Sequence, residues 1–88
     1  MRVKVRVFAR LRELAGRDAW ECDVPAGASV ADVWRVLEVD HPAIAPLGSS
    51  VSAAVNAEFA PMTTTVHDGD EVAFLPPVSG GTGVPRPS

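Results

Sequence analysis

The sequence predicts an α+β roll, in which a mixed sheet of four to five strands has one main helix packed across one face. Four segments alternate apolar and polar residues, the pattern typical of half-buried strands. They are residues 2–7, 18–24, 51–55 and 71–75. Between the second and third segments lies a single helical stripe of apolar residues. Its members are Val30, Val33, Trp34 and Leu37.

The first two strands are expected to pair as an antiparallel hairpin. In the first, basic residues alternate with Val3, Val5 and Val7, so one face is buried and the other faces water. The second strand carries its apolar residues on one side, and they are Trp20, Cys22 and Val24. Between the strands, "ARLRELAG" ends at Gly16, which predicts a single helical turn closed by a left-handed glycine.

The main helix is expected over about residues 30–38. Ser29 precedes it and Asp32 stands at its third position, which is the arrangement of a capping box. The following segment, "DHPAIAPLGSS", is rich in turn formers and predicts at most another short helical turn.

The C-terminal half predicts strands that return to the sheet. Val51, Ala53 and Val55 are expected on one face of the third strand. A short edge strand follows near Phe59, and the last strand, "EVAFL", ends at two prolines because proline donates no ladder hydrogen bond. The resulting order, β-β-α-β-(β)-β, is fitted most simply by the β-grasp, or ubiquitin-like, fold.

The composition narrows the class of function. Eleven acidic residues against eight basic ones give a formal charge of -3, which disfavours a nucleic-acid partner because such proteins carry a basic stripe. The apolar runs are far shorter than the roughly 20 residues that a membrane-spanning helix needs. The N-terminal segment "MRVKVRVFARLRE" has bases within its apolar stretch, unlike a signal peptide. A cytoplasmic protein with no nucleic-acid or membrane partner is therefore expected.

No set of residues predicts catalysis or metal binding by the chain itself. Cys22 is the only cysteine, which excludes an internal disulfide and a zinc cage, and its place in a strand favours a buried small hydrophobe. His41 and His67 stand far apart in turns. "SGGTG" lacks the helix and the lysine of a phosphate-binding loop. We therefore expect no bound cofactor. Because the chain also lacks an evident set of catalytic residues, any chemistry that it takes part in is expected at a terminus.

The segment after the last strand predicts a projecting arm. Its members are Pro76, Pro77, Val78, Ser79, Gly80 and Gly81. The prolines favour a stiff, extended course, and the four residues after them add roughly 13 Å of reach at about 3.3 Å per residue. Glycines present no side chain that would obstruct a narrow channel, so the arm can enter a partner's pocket. A flexible linker or frayed end is the alternative reading of an isolated glycine pair.

Three segments of the chain carry a resemblance to a known family. They are "VFARLRELAG" at 7–16, "AAVNAEFA" at 53–60 and "DGDEVAFLPPVSGG" at 68–81. The last resembles the C-terminus of the MoaD family, the small subunits of molybdopterin synthase, and the first two are similar to that family's other signatures, in the same order and at comparable spacing. The resemblance covers residues 1–81, and the family is similar in fold to ubiquitin, in agreement with the β-grasp derived from the strand order.

The resemblance implies a sulfur carrier with Gly81 as its thiocarboxylate and adenylation site. A MoeB-like adenylyltransferase would spend ATP to activate the glycine carboxylate, and a sulfur donor protein would then displace AMP. The large synthase subunit, MoaE, would accept the arm and supply the catalytic residues, and its substrate would be cyclic pyranopterin monophosphate. The chain itself would be a non-catalytic subunit.

Apolar groups beside the arm are the expected docking residues. They are Phe8, Leu11, Phe59, Phe74 and Leu75. Because alternate residues of a strand face opposite ways, the last two cannot both enter the core, and one is available to a partner.

The chain departs from the family by continuing as "TGVPRPS" after Gly81. A glycine within a peptide bond has no carboxylate to adenylate, so we expect cleavage between Gly81 and Thr82. The domain would then comprise residues 1–81, and residues 82–88, rich in proline and poor in apolar residues, would be a disordered and removable extension.

Three alternatives remain open on sequence alone. The first is a carrier for another sulfur acceptor, such as thiazole, cysteine or transfer RNA. The second is a ubiquitin-like modifier that joins Gly81 to lysines of target proteins; Lys4 is the only lysine of this chain. The third is a binding module whose unprocessed tail prevents sulfur loading.

Overall fold

The protein is seen here in a computed structural model, which describes residues 1–77 of the 88. The elements in chain order are β1 (Arg2–Val7), α1 (Ala9–Ala15), β2 (Ala19–Asp23), α2 (Val30–Asp40), a 3-10 helix (Pro42–Leu47), β3 (Ser52–Val55), β4 (Glu58–Phe59) and β5 (Glu71–Leu75). The strands form one five-stranded sheet in the order β2-β1-β5-β3-β4. Strands β1 and β5 are parallel and the other neighbours are antiparallel. The expected α+β roll of β-grasp, ubiquitin-like type is confirmed.

The N-terminal hairpin follows the alternation of its sequence. The three valines of β1 are at most 1% exposed, and Val3 and Val5 lie opposite Cys22 and Trp20 of β2. Helix α1 is longer than the expected single turn, with seven residues, and it ends at Gly16 with a φ of 80°. A side chain would be strained at that φ, which explains the glycine.

Helix α2 begins at the predicted capping box. The Ser29 hydroxyl accepts the backbone N–H of Asp32 at 3.3 Å, and the Asp32 carboxylate accepts the backbone N–H of Ser29 at 2.9 Å. The helix runs two residues beyond the predicted end and stops before Pro42, which disfavours helical geometry in the residue preceding it. That residue, His41, has a φ of -135° and donates its N–H to Leu37.

The core lies between α2 and the inner face of the sheet. The predicted stripe Val30, Val33, Trp34 and Leu37 is buried there. The ring of Trp34 packs at 5.1 Å from that of Phe74, and its indole N–H donates to Glu38 at 2.6 Å. Among the described residues, no polar or charged residue is fully buried. The interior therefore serves packing alone.

Strands β3 and β4 form a narrow hairpin at one edge of the sheet. Ala53 faces the core with Val51 and Val55 packed partly against it, as predicted, although the strand itself begins at Ser52. The turn residues Asn56 and Ala57 have φ of 51° and 73°, so both adopt the left-handed conformation that two-residue hairpin turns require. The Asn56 side-chain amide stabilises the turn with two hydrogen bonds of 3.0 Å. It accepts the backbone N–H of Glu71 and donates to the carboxylate of Asp70.

Within residues 1–77, no helix has the length and apolar character needed to cross a membrane.

Candidate functional site at the end of the central strand

The base of the predicted arm, Pro76 and Pro77, follows the central strand of the sheet. Strand β5 lies between β1 and β3, and its parallel pairing with β1 places Val7 opposite Phe74. Because parallel strands end at the same edge of a sheet, α1 begins beside the point where Pro76 and Pro77 follow β5. A groove of about 350 Å³ opens at this point, between the start of α1 and the base of the arm. Its lining residues are Ala9, Arg10, Leu47, Pro76 and Pro77.

Only the base of the predicted arm belongs to the described part of the chain. Pro76 is half-buried and Pro77 is exposed. Val78, Ser79, Gly80 and Gly81, together with Thr82 of the predicted cleavage site, lie outside the described residues, as does the rest of the 82–88 extension. Their roles stay predictions.

An apolar surface, here called the sheet patch, lies on the outer face of the sheet next to the arm. Its members are Phe8, Ala54, Phe59, Ala73 and Leu75. The strand pairing places Ala54 between Ala73 and Phe59. Leu75 is the last residue of β5 and Phe8 directly follows β1. Because Val7 pairs with Phe74, these next two residues are neighbours on the opposite face of the sheet from that pair. Phe59 is 79% exposed, which is unusual for so large an apolar side chain.

Two of the five expected docking residues lie in the core. Leu11 and Phe74 are 0% exposed, so neither presents side-chain surface to a partner. The expectation that they dock is corrected accordingly, because α1 turns Leu11 inward and the β5 alternation turns Phe74 towards Trp34. The other three, Phe8, Phe59 and Leu75, belong to the sheet patch, and their docking role stays a prediction.

Sequence reasoning missed the arginines that border this surface. The Arg6 guanidinium lies 5.3 Å from the centre of the Phe8 ring and 3.6 Å from the Glu71 carboxylate. Arg10 lines the groove at the base of the arm and pairs with Glu13 at 3.5 Å. The pattern could have revealed both, since Arg6 shares the outer face with Phe8, and Arg10 precedes the first buried position of α1. The apolar surface is thus bordered by arginine–glutamate pairs.

The described residues offer no candidate for catalysis. Burial, followed by the charges of Asp23 and Asp40, raises the pKa of the Cys22 thiol, which suits a half-buried packing residue better than a nucleophile. His41 caps α2 and His67 stands in the turn before β5, where its backbone N–H donates to Asp70 at 2.8 Å. No cluster of three or more potential metal ligands occurs between residues 1 and 77.

Comparison with known proteins agrees with this geometry. The ThiS family matches residues 5–81. The molybdopterin synthase sulfur carrier subunit of Escherichia coli is 40% identical over 82 residues, and the match covers 90% of this chain and 99% of that protein. The subunit of the same name from Arabidopsis thaliana is 34% identical over 79 residues, and the match covers 90% of this chain and 82% of that protein. The crystal structure of SAMP1 from Haloferax volcanii superimposes with a TM-score of 0.82 at 32% identity, covering 92% of this chain and 100% of that one. The resemblance to molybdopterin synthase small subunits is confirmed, and the chain belongs to the ThiS family.

Proposed function

We propose that this protein is the sulfur carrier subunit of molybdopterin synthase and that its Gly81 bears the transferred sulfur as a thiocarboxylate. The observation that carries the proposal is the exit of the Pro76–Pro77 arm base from the central strand, beside an apolar patch and a groove. This arrangement presents a short terminal segment and a docking surface on one side of the molecule. The names of the E. coli and Arabidopsis relatives and the family match to residue 81 support the same function.

The chemistry at Gly81 begins with activation of its carboxylate. A carboxylate is a poor electrophile, so a MoeB-like adenylyltransferase condenses it with ATP to an acyl-adenylate and releases pyrophosphate. A sulfur donor protein supplies sulfur at the sulfide level, which displaces AMP and leaves the thiocarboxylate. ATP is a substrate of the activating partner, and this chain needs no bound cofactor.

Sulfur transfer takes place in the large synthase subunit. The arm enters that subunit, the sheet patch docks against its surface, and the large subunit supplies the catalytic residues. Each transfer places one sulfur on cyclic pyranopterin monophosphate and, after addition of water, returns Gly81 to its carboxylate. The carrier is thus a recyclable, non-catalytic subunit that works in the cytoplasm, where ATP and the pterin precursor are available.

Cleavage after Gly81 precedes all of these steps. The peptide bond to Thr82 leaves no free carboxylate at Gly81, so the chain of residues 1–88 cannot be adenylated there. Removal of residues 82–88 exposes the reactive group. Until then the protein can bind partners but cannot carry sulfur.

Reconstitution of sulfur loading tests the proposal. Protein ending at Gly81, incubated with an adenylyltransferase of this pathway, ATP and a sulfur donor, is expected to gain the mass difference between sulfur and oxygen. The complete chain, under the same conditions, is expected to keep its mass. Failure of the shortened protein to load would refute a carrier function and favour a binding module.

The acceptor is tested separately with the loaded protein. Addition of the large synthase subunit and cyclic pyranopterin monophosphate should form molybdopterin and return the carrier to its unloaded mass. Transfer instead to a thiazole precursor, a cysteine precursor or transfer RNA, each with its own enzyme, would keep the carrier function and reject the molybdopterin assignment.

A second candidate function is that of a protein modifier joined through Gly81 to lysines of other proteins. The similarity to SAMP1 favours it, since proteins of that name are called small archaeal modifiers. Intact lysate of the native cell is the material for this test. Peptides in which a target lysine bears the residues preceding and including Gly81 would support modification, and their absence from cells that contain the loaded carrier would exclude it.

A further inference from the structure

The two edges of the sheet differ in length and in what they offer to another chain. Strand β4, at one edge, has only two residues, whereas β2, at the other, has five and contains no proline. A long edge strand exposes backbone donors and acceptors that can pair with an added strand, and short edges prevent this. The β2 edge is therefore the one able to extend the sheet.

The hydrogen-bond pattern shows which residues of β2 face outward. Met1 and Val24 exchange backbone hydrogen bonds of 2.8 and 2.9 Å, and the N–H of Val7 donates to the carbonyl of Asp18 at 3.0 Å. Bonded pairs alternate along an antiparallel ladder, so even-numbered residues of β2 point their backbone groups at β1. The odd-numbered residues Ala19, Glu21 and Asp23 point theirs away, and none of these groups has a hydrogen-bond partner among residues 1–77.

Strand β1 shows which kind of strand complements β2. On the outer face of the sheet, its Arg2 and Lys4 lie opposite Asp23 and Glu21. On the inner face, Val3 and Val5 lie opposite the partly buried Cys22 and Trp20. Opposite charges across a ladder are stabilising, and so are aromatic and β-branched pairs. A strand that alternates bases with aliphatic residues therefore matches both faces of β2.

The acidic side chains remain available to a second strand. Arg2 pairs with Glu21 at 3.4 Å and with Asp23 at 3.2 Å, but both pairs are exposed to solvent and so bind weakly. A carboxylate has two acceptor oxygens and can accept a further donor. On the inner side, two side chains extend the surface around the Trp20 ring. The guanidinium carbon of Arg17 lies 4.3 Å from the ring centre, and the His41 ring centre lies 5.3 Å from it.

Self-pairing of two copies through this edge is disfavoured. An antiparallel two-fold pairing over the whole strand is centred on Glu21, which would then face Glu21 of the second copy. Like charges directly opposite one another destabilise a ladder. The same residue that repels a second copy attracts a base, so the edge selects a different chain.

We propose that the outer edge of β2 binds an extended segment of another protein, one that alternates basic and aliphatic residues, and adds it to the sheet as a further strand. Backbone hydrogen bonds to Ala19, Glu21 and Asp23 hold the segment. Its bases meet the two acidic side chains, and its aliphatic residues meet Trp20 and Cys22. This surface is separate from the sheet patch and the arm, and the proposal is independent of the sulfur-carrier function.

The test uses the complete chain and a synthetic peptide with the sequence of residues 2–7, RVKVRV, blocked at both ends. Backbone amide NMR is expected to show saturable shifts centred on β2 and slowed hydrogen exchange at Glu21 and Asp23. Binding should weaken as salt rises, because screening acts on exposed charges. An acidic peptide, EVEVEV, should not bind. Equal binding of both peptides, shifts centred on the sheet patch, or no binding at all would overturn the proposal.

Variants distinguish the contribution of the backbone hydrogen bonds to binding from that of the acidic side chains. Ala19→Pro removes one outward N–H without touching the ladder to β1 and should weaken binding about two- to tenfold, the range for one hydrogen bond. Reversing Glu21 and Asp23 to arginine should weaken it about threefold for each charge. Glu58→Arg, on the opposite edge, is the matched control and should have no effect.

A modified peptide keeps the test valid if Ala19→Pro fails to fold. N-methylation of either the three valines or the three bases removes the donors from one edge of the peptide. One of these two peptides should lose binding to the unaltered protein. If both bind as well as the parent peptide, no strand is added and the proposal fails.

Discussion

The two faces of the sheet are built from alternate residues of the same strands, yet they differ in almost every property. The inner face is apolar and largely covered by α2, and it includes Val3, Val5 and Val72, each 0% exposed. The outer face divides into a charged half on β2 and β1 and an apolar half on β5, β3 and β4. The inner face therefore determines the fold, and most of the exposed side chains of the sheet lie on the outer face.

Two neighbouring residues of β5 face opposite sides of the sheet. Phe74 packs against Trp34 in the core, while Leu75, the next residue, is half-buried on the outer face at the base of the arm. The strand that contributes Phe74 to the core is thus also the strand that Pro76 and Pro77 follow. Changes at these two neighbours should have opposite consequences.

The largest expected effect is on the inner face. Phe74→Ala should lower the free energy of unfolding by about 3–5 kcal/mol, since it removes a fully buried ring and leaves a cavity. Leu75→Ala, the matched change one residue away, should cost only about 1 kcal/mol or less because the side chain is half-buried. Denaturant unfolding of both variants measures the difference. Equal losses would show that the outer face also holds the fold together.

The next largest expected effect concerns the sheet patch on the outer face. Phe59 of the sheet patch and Val39 of α2 are both 79% exposed, but they belong to different surfaces of the protein. In protein ending at Gly81, Phe59→Lys should weaken binding of the large synthase subunit at least tenfold, or about 1.4 kcal/mol, because it places a charge in an apolar interface. Val39→Lys should leave binding unchanged.

Titration calorimetry of the two lysine variants gives the answer, and thermal unfolding checks their folds. Exposed substitutions of this kind usually change stability by about 0.5 kcal/mol or less. If both variants bind as tightly as the parent, the sheet patch is not a docking surface. If Val39→Lys binds more weakly than Phe59→Lys, the partner contacts α2 instead.

The sequence was sufficient for the inner face because its pattern is strict. Alternating valines predict β1, and Ser29 with Asp32 predicts the start of α2, since local chemistry decides both. The end of α2 and the length of α1 were less predictable. Helix ends depend on tertiary packing as well as on local pattern. Ala9, at the start of α1, has a φ of 52°, a value that is uncommon for alanine and that the sequence does not indicate.

The outer face was only partly predictable, for a physical reason. An apolar residue beside the arm suits either a core or a docking role, and a helix of seven residues has too few positions to show which side faces inward. This ambiguity led to the wrong expectation for Leu11. For β5 a usable indication existed. Glu71 must face water, and Leu75, four residues later on a strand, shares its face, which assigns Phe74 to the core.

A smaller effect concerns the helix that closes the inner face. Ser29→Ala removes the N-cap of α2 and should lower stability by about 1 kcal/mol at neutral pH. Hydrogen bonds from the backbone and then the hydroxyl of Ser29, with Arg35 adding to them, hold the pKa of Asp32 below its ordinary value of 3.8. A lowered folded-state pKa stabilises the fold above the unfolded-state value and loses that contribution as the pH falls through the folded one.

The stability difference between the capping variant and the parent should therefore be largest above pH 3.8 and shrink in stronger acid, because protonation of Asp32 weakens the bond from the Ser29 hydroxyl that only the parent has. The part due to the hydroxyl accepting the backbone N–H of Asp32 should remain. Unfolding curves measured across this pH range check the expectation. Binding of the large subunit at neutral pH should be unaffected, because the cap is remote from the sheet patch. A stability difference that stays constant with pH would show that the bond from the Ser29 hydroxyl to the Asp32 carboxylate does not contribute.

The smallest expected effect tests the turn that places Phe59 on the outer face. Ala57→Gly should raise the free energy of unfolding by about 0.5 kcal/mol, since relief of the strain of alanine at a φ of 73° outweighs the greater conformational entropy that glycine loses on folding. Asn56→Gly is the informative contrast. It also accepts a positive φ, but it loses the two side-chain hydrogen bonds to Asp70 and Glu71, so stability should fall. Chemical denaturation of both variants separates backbone strain from side-chain bonding, and a loss of stability in Ala57→Gly would mean that strain does not limit this hairpin.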